Sequence, residues 1–132
     1  MKRIVFFVVL TSLGLSSCSS DMEVSPGNRT TMEVDDVFDA GEVIQGEFVT
    51  AKFKVTNTGD YPLVIADVKV GCKCTLAEKP EEPIAPGKSG MIMAQVDTDN
   101  AQVGPLEKTI SIVSNADPAV KPLKIKAIVK RK

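Results

Sequence analysis

From Val49 onward the chain alternates strictly. Val49, Ala51, Phe53 and Val55 share one parity, and Thr50, Lys52, Lys54 and Thr56 the other. That is period two, the signature of a strand with one face in a core and one in water. Asn57-Thr58-Gly59-Asp60-Tyr61-Pro62 ends the run with turn-forming residues. The pattern then repeats. Leu63 to Val70 reads as a second strand, with Val64, Ala66, Val68 and Val70 expected inward against Asp67 and Lys69. Pro86-Gly87-Lys88-Ser89-Gly90 opens a third run, in which Ile92, Ala94 and Val96 face the core. Leu106 to Val113 gives a fourth with Ile110 and Ile112 inward, and Leu123, Ile125, Ala127 and Val129 mark a last one. Shorter candidates lie at Met32–Phe38 and Glu42–Gln45.

No window of helical length carries a 3.6-residue apolar stripe. About seven short strands separated by turn signals predict an all-β fold, an immunoglobulin-like β-sandwich over residues 32–132. The tryptophan and paired inter-sheet cysteines of antibody domains are missing, so the expected scaffold is a bare one. With 43% apolar and 25% charged residues, a domain of about 100 residues buries enough core to fold without metal or cross-links.

The N-terminus reads as an export signal. Lys2 and Arg3 precede the apolar run Ile4-Val5-Phe6-Phe7-Val8-Val9-Leu10, which extends weakly through Leu13 and Leu15. A stretch of about 12 residues is too short to span a bilayer and right for a signal peptide. Leu15-Ser16-Ser17-Cys18 then resembles the lipobox of bacterial lipoproteins. That resemblance implies removal of residues 1–17 and diacylglycerol on the Cys18 thiol, with membrane anchoring as the result. Ser19 stands where an aspartate would resemble an inner-membrane retention signal, which favours the outer membrane. Residues 19–31 lack apolar periodicity and read as a flexible tether with a reach of roughly 20 Å. Removing Lys2 and Arg3 from 16 basic residues leaves 14 against 17 acidic ones, a net −3. No basic footprint for nucleic acid exists in that balance.

Four stretches together resemble a family. Asn57-Thr58-Gly59-Asp60, Pro62-Leu63-Val64-Ile65, Cys72-Lys73-Cys74-Thr75 and Pro83-Ile84-Ala85-Pro86-Gly87-Lys88-Ser89-Gly90 occur in that order. The succession resembles the bacterial "domain of unknown function 1573" family, exported Ig-like domains with a C-G-C-T signature. The resemblance runs over roughly residues 38 to 130. Here Lys73 stands where the family usually has glycine. It implies an Ig-like fold and export and carries no activity with it.

Candidate chemistry is sparse. Histidine is absent, which removes Ser-His-Asp and Cys-His catalysis and the usual zinc hydrolase sites. Cys72 and Cys74 are the thiols left once Cys18 is lipidated. In an extended strand their Cα atoms would lie about 6.6 Å apart, so a bond between them needs a kink. They read as structural, as a redox pair, or as a soft copper(I) clamp supplemented by Met91 or Met93.

Gly87-Lys88-Ser89 mimics the end of a phosphate loop, but Glu82 replaces the required glycine and a strand follows. Asp97-Thr98-Asp99-Asn100 is similar to a calcium loop, with Gln102 and Lys108 at positions that demand glycine and glutamate. Lys121, Lys124, Lys126, Lys130, Arg131 and Lys132 read as a solvated face and a lysine-guarded edge strand, or as a contact for anionic headgroups or polysaccharide. The expectation is an envelope lipoprotein without cofactor or enzymatic activity. It binds a protein or glycan partner, with thiol-redox or copper(I) handling at Cys72 and Cys74 as the alternative.

Overall fold

The computed structural model describes residues 27–132. The leader, Cys18 and the tether as far as residue 26 lie outside the described residues. Eight strands form two four-stranded sheets: β1 (Met32–Glu33), β2 (Val37–Ile44), β3 (Phe48–Asn57), β4 (Ile65–Val70), β5 (Thr75–Glu78), β6 (Ser89–Asp97), β7 (Gly104–Ser114) and β8 (Val120–Lys130). One sheet runs β1-β3-β6-β5 and the other β2-β8-β7-β4. The fold is an Ig-like β-sandwich: the first sheet has the A-B-E-D order and the second the G-F-C order, with β2 added beside β8. The chain crosses between sheets from β1 to β2. All pairings are antiparallel except β2 with β8.

The alternation places the core as expected along four strands. Val49, Ala51, Phe53 and Val55 of β3 and Ile92, Ala94 and Val96 of β6 are buried, facing Ile110 and Ile112 of β7 and Leu123, Ile125, Ala127 and Val129 of β8. Full burial of one such large aliphatic or aromatic side chain contributes about 1.5–3 kcal/mol. The Phe53 ring meets Phe38 of β2 edge-on, centroids 6.1 Å apart at 65°, which ties the two sheets across the core.

Elsewhere the structure corrects the sequence reading. In the second run Leu63 and Ile65 are buried, while Val64 is half-buried and Ala66 exposed. A register shift against β7 between Ile65 and Asp67 then reverses the parity, so Val68 turns back towards the core. Both parities are apolar in this segment, and a bulge adds a residue that a period-two count cannot see.

The two short candidates at Met32–Phe38 and Glu42–Gln45 are redrawn as β1 and one continuous β2. That strand carries its own shift between Asp39 and Glu42, where Gly41 takes φ 68° and its N–H is held by Asp39 Oδ1 at 2.8 Å. β5 has no counterpart among the expected strands. β8 is interior, not an edge, because β2 covers its second side.

The domain begins before residue 32. Thr30 is buried and bridges Ala116 in parallel, and the side-chain amide of Asn115 donates to the Asn28 carbonyl at 3.1 Å. Asn28–Thr31 therefore belongs to the sandwich.

Candidate functional site

Strand register sorts the loops onto two poles. Thr30, the β3–β4 turn and the β7–β8 turn gather at one, since Met32 pairs with Asn57 and Ile65 with Ser114. β4 runs away from it, and the β4–β5 turn emerges at the other pole beside the β6–β7 loop, where Asp97 N–H donates to the Cys74 carbonyl at 2.8 Å. The chain thus enters at one end and carries Cys72 and Cys74 at the opposite end, about 30 Å away by strand rise along β3.

Cys72 and Cys74 are joined by a disulfide with Cα atoms 5.3 Å apart. The kink that an extended strand lacks is supplied by the turn at Gly71–Cys74, after β4 has ended at Val70. The two cysteines therefore lie beyond the end of β4 and not in its alternation. Thr75 N–H donates to the Cys72 carbonyl at 3.3 Å and closes the turn. The Thr75 hydroxyl, on a residue only 3% exposed, lies 3.5 Å from Cys72 Sγ and 3.9 Å from Cys74 Sγ. A bond spanning a separation of two residues restricts the unfolded chain little, contributing roughly 1.6 kcal/mol by loop-closure entropy. Cys74 also lines a shallow depression of 190 Å³ with Asp97, Asn100, Ala101 and Lys108.

The copper(I) clamp is not assembled. Met93 and Met91 stand half-exposed on the outer face of β6, four and six residues before Asp97, which is the β6 neighbour of Cys74. At the strand rise these are separations of about 13 and 20 Å. The pseudo-calcium loop is a structural staple. Asp97 Oδ1 accepts from Asp99 N–H at 2.8 Å, and the buried Thr98 hydroxyl donates to the Glu47 carbonyl while accepting from Gly46 N–H at 3.0 Å. Gly87, at φ 76°, turns the chain into β6, and its N–H donates to the Asn57 carbonyl at 2.9 Å, so no phosphate cradle forms.

The C-terminal lysines are largely paired. Lys121 meets Asp36 at 2.7 Å, Lys124 meets Glu107 at 3.1 Å, and Lys130 meets Glu42 at 3.2 Å. Pairs this exposed are worth little individually, but they remove the continuous positive strip that a polyanion would grip.

A second surface comes from β5. It ends its sheet, so among the described residues the backbone of its outer edge has no strand partner. Leu76 projects from it, 70% exposed, onto the outer face where Met93, Met91 and Phe48 also stand. Gln95 and Met93 pair across to Leu76 and Glu78, and a shallow depression of 170 Å³ lies among Thr50, Leu76, Met93 and Gln95. The sequence reading missed both Leu76 and Thr75. The Thr75-Leu76-Ala77-Glu78 run is too short to show a period.

Residues 30–129 match the family described as Protein of unknown function (DUF1573). The chain belongs to the DUF1573 family. Among solved structures it is similar to a protein of unknown function from Porphyromonas gingivalis W83, at 25% identity and a TM-score of 0.67 over 80% of this chain and 49% of that one. The chain thus spans about half the length of that protein. A PapD-like domain of human CEP192 matches at 9% identity and a TM-score of 0.58, covering 92% of this chain and 99% of that domain. The periplasmic chaperone SfaE matches at 11% and 0.51, over 75% of this chain and 58% of the chaperone. The last two likenesses speak to fold alone. No curated protein matches the sequence.

Proposed function

We propose that this DUF1573 protein is a lipid-anchored, non-enzymatic binding module of the cell envelope. It docks another envelope component along the β5 edge and the outer face beside it. The observation that carries the reading is Leu76, a large aliphatic side chain 70% exposed on a strand whose outer edge has no partner among the described residues. An open edge offers a row of backbone donors and acceptors to an incoming chain, and a protruding apolar residue beside it adds buried area on docking. Met91, Met93 and Phe48 extend the apolar surface on the same face.

Anchoring rests on Leu15-Ser16-Ser17-Cys18 and on the apolar leader before it. With the tether entering at one pole, the β5 edge stands along the side of the domain and is open to neighbours in the same compartment. The test is cross-linking in intact cells, followed by capture from detergent-solubilised envelopes and mass spectrometry. Wild-type protein should retain a specific partner that Leu76→Lys and Met93→Lys lose together. Capture that survives both substitutions would move the interface elsewhere.

A further inference from the structure

We propose that the Cys72–Cys74 bond is a thiol–disulfide exchange site whose substrate is a dithiol on another polypeptide. Three observations converge on it. The bond holds no distant elements together: it closes a turn that backbone hydrogen bonds from Thr75 and Asp97 already fix, at 3.3 and 2.8 Å. It is reachable, because Lys73 is exposed between two half-buried cysteines and Cys74 opens on the 190 Å³ depression that contains Lys108. The buried Thr75 hydroxyl, among the described residues, has the two sulfurs as its hydrogen-bond partners, the nearer being Cys72 Sγ at 3.5 Å.

That arrangement gives the two sulfurs different roles. A substrate thiolate enters over the depression and attacks Cys74 Sγ. The Cys72–Cys74 bond breaks, and its electron pair leaves on Cys72 as a thiolate that accepts the Thr75 hydrogen bond and then a proton from solvent. The second substrate thiolate attacks the substrate sulfur of the mixed disulfide and releases Cys74 as a thiolate, which is protonated in turn. The substrate is oxidised by two electrons to its disulfide, and the protein is reduced to the dithiol. Exchange of this kind runs faster as the leaving thiolate is better stabilised, which is what a hydroxyl donor at Cys72 supplies. Lys73 stands between the two sulfurs in sequence, and Lys108 lines the depression at Cys74, the thiolate released in the second step.

The setting rests on the export proposed above, since oxidised cysteines persist in the envelope. The chemistry itself does not. The purified full chain is mixed with a short synthetic peptide carrying two thiols and a fluorophore, quenched by alkylation, and read by intact mass and peptide mapping. Expected are one oxidised peptide per reduced chain, a trapped adduct on Cys74, and an unchanged far-ultraviolet circular dichroism spectrum throughout. Thr75→Val, which keeps the shape and removes the donor, should slow the exchange about tenfold. It should also raise the pH at which the reduced protein develops thiolate absorbance.

A disulfide that stays closed in excess peptide while the protein remains folded would overturn the proposal. So would reduction that occurs only as the β spectrum is lost. Failure of exchange in a protein that fractionates with membranes sinks this site alone. Exchange by a protein that is never membrane-bound sinks only the anchoring.

Discussion

Thr30 Oγ1 donates a 2.7 Å hydrogen bond to Asn57 Oδ1, and through it the segment entering the domain is fastened to the last residue of β3. Asn57 is fully buried and saturated: its Oδ1 also accepts from Gly59 N–H at 3.0 Å, and its Nδ2 donates to the carbonyls of Tyr61 at 2.7 Å and Ile84 at 2.8 Å. One amide thus ties the entry segment, the β3–β4 turn and the β5–β6 loop at Ile84. Asn57→Ala would leave several of these groups unpaired away from water. A loss of about 3 kcal/mol is expected in urea denaturation, since each orphaned buried group costs roughly 1–3 kcal/mol. A change under 1 kcal/mol, measured with unaltered slope, would show that water replaces the amide.

The same junction sets where the domain can be cut. A chain starting at Asn28 keeps the Thr30–Asn57 bond and the contact from Asn115, whereas one starting at Met32 loses both. The shorter chain should melt at a lower temperature, by several degrees for a loss near 1 kcal/mol in a domain this size. Gly59→Ala should imitate the truncation from within, because a methyl there collides with Thr30 and comes within 2.6 Å of the Thr31 backbone nitrogen. Equal melting of the two truncations would remove Asn28–Thr31 from the fold.

Phe53 was legible as a core residue from alternation alone, and it is 2% exposed in the middle of its sheet. Phe53→Ala should cost about 3–5 kcal/mol. A double-mutant cycle with Phe38→Ala should return a coupling of about 0.5–1.5 kcal/mol for the edge-on ring pair. A neutral Phe53→Ala, or no coupling, would contradict the assigned packing.

The strand readings that held share one property: runs of eight or more residues with a single unbroken parity. β3 and β8 set lysines and threonines against aliphatics, and β6 sets Met91, Met93 and Gln95 against Ile92, Ala94 and Val96 over nine residues, long enough for period two to show. The readings that failed lie where both parities are apolar or the run is too short. Leu63 to Val70 offered two inward sets, and a bulge after Ile65 decided between them. β5 spans Thr75–Glu78, below the length at which alternation can be counted.

The candidate site was half visible. Cys72 and Cys74 announce themselves by rarity, but their bond depends on a turn that no parity argument contains. Thr75, Thr98 and Asn57 gain their roles from partners distant in the chain or from burial, and in sequence they are ordinary turn or strand residues. β8 looked like a guarded edge because lysines line it. Only the parallel pairing of β2, non-local by nature, shows it to be interior.

Leu76 separates binding from stability. Its side chain is mostly in water, so Leu76→Lys should leave unfolding within about 0.5 kcal/mol of wild type. Partner capture should fall sharply in the same protein. Equilibrium denaturation and envelope capture, run side by side, give the comparison. A clear loss of stability without loss of capture would make Leu76 part of the scaffold and remove the main support for docking at β5.

The last prediction concerns Cys18 and the anchoring proposed for it. Two acyl chains hold a protein on a bilayer stably, where a single chain binds only marginally. Cells fed labelled palmitate should therefore incorporate label into wild-type protein, which should sediment with membranes. Cys18→Ala blocks attachment, so label should vanish and the protein should accumulate unprocessed or be released. Because Cys18 precedes the described residues 27–132, any change in fractionation reads anchoring and not loss of the sandwich. Wild-type protein that takes up no label and fractionates as soluble would end the lipoprotein reading. The export of Cys72 and Cys74 would then need separate proof, obtained by asking whether the protein still reaches the envelope.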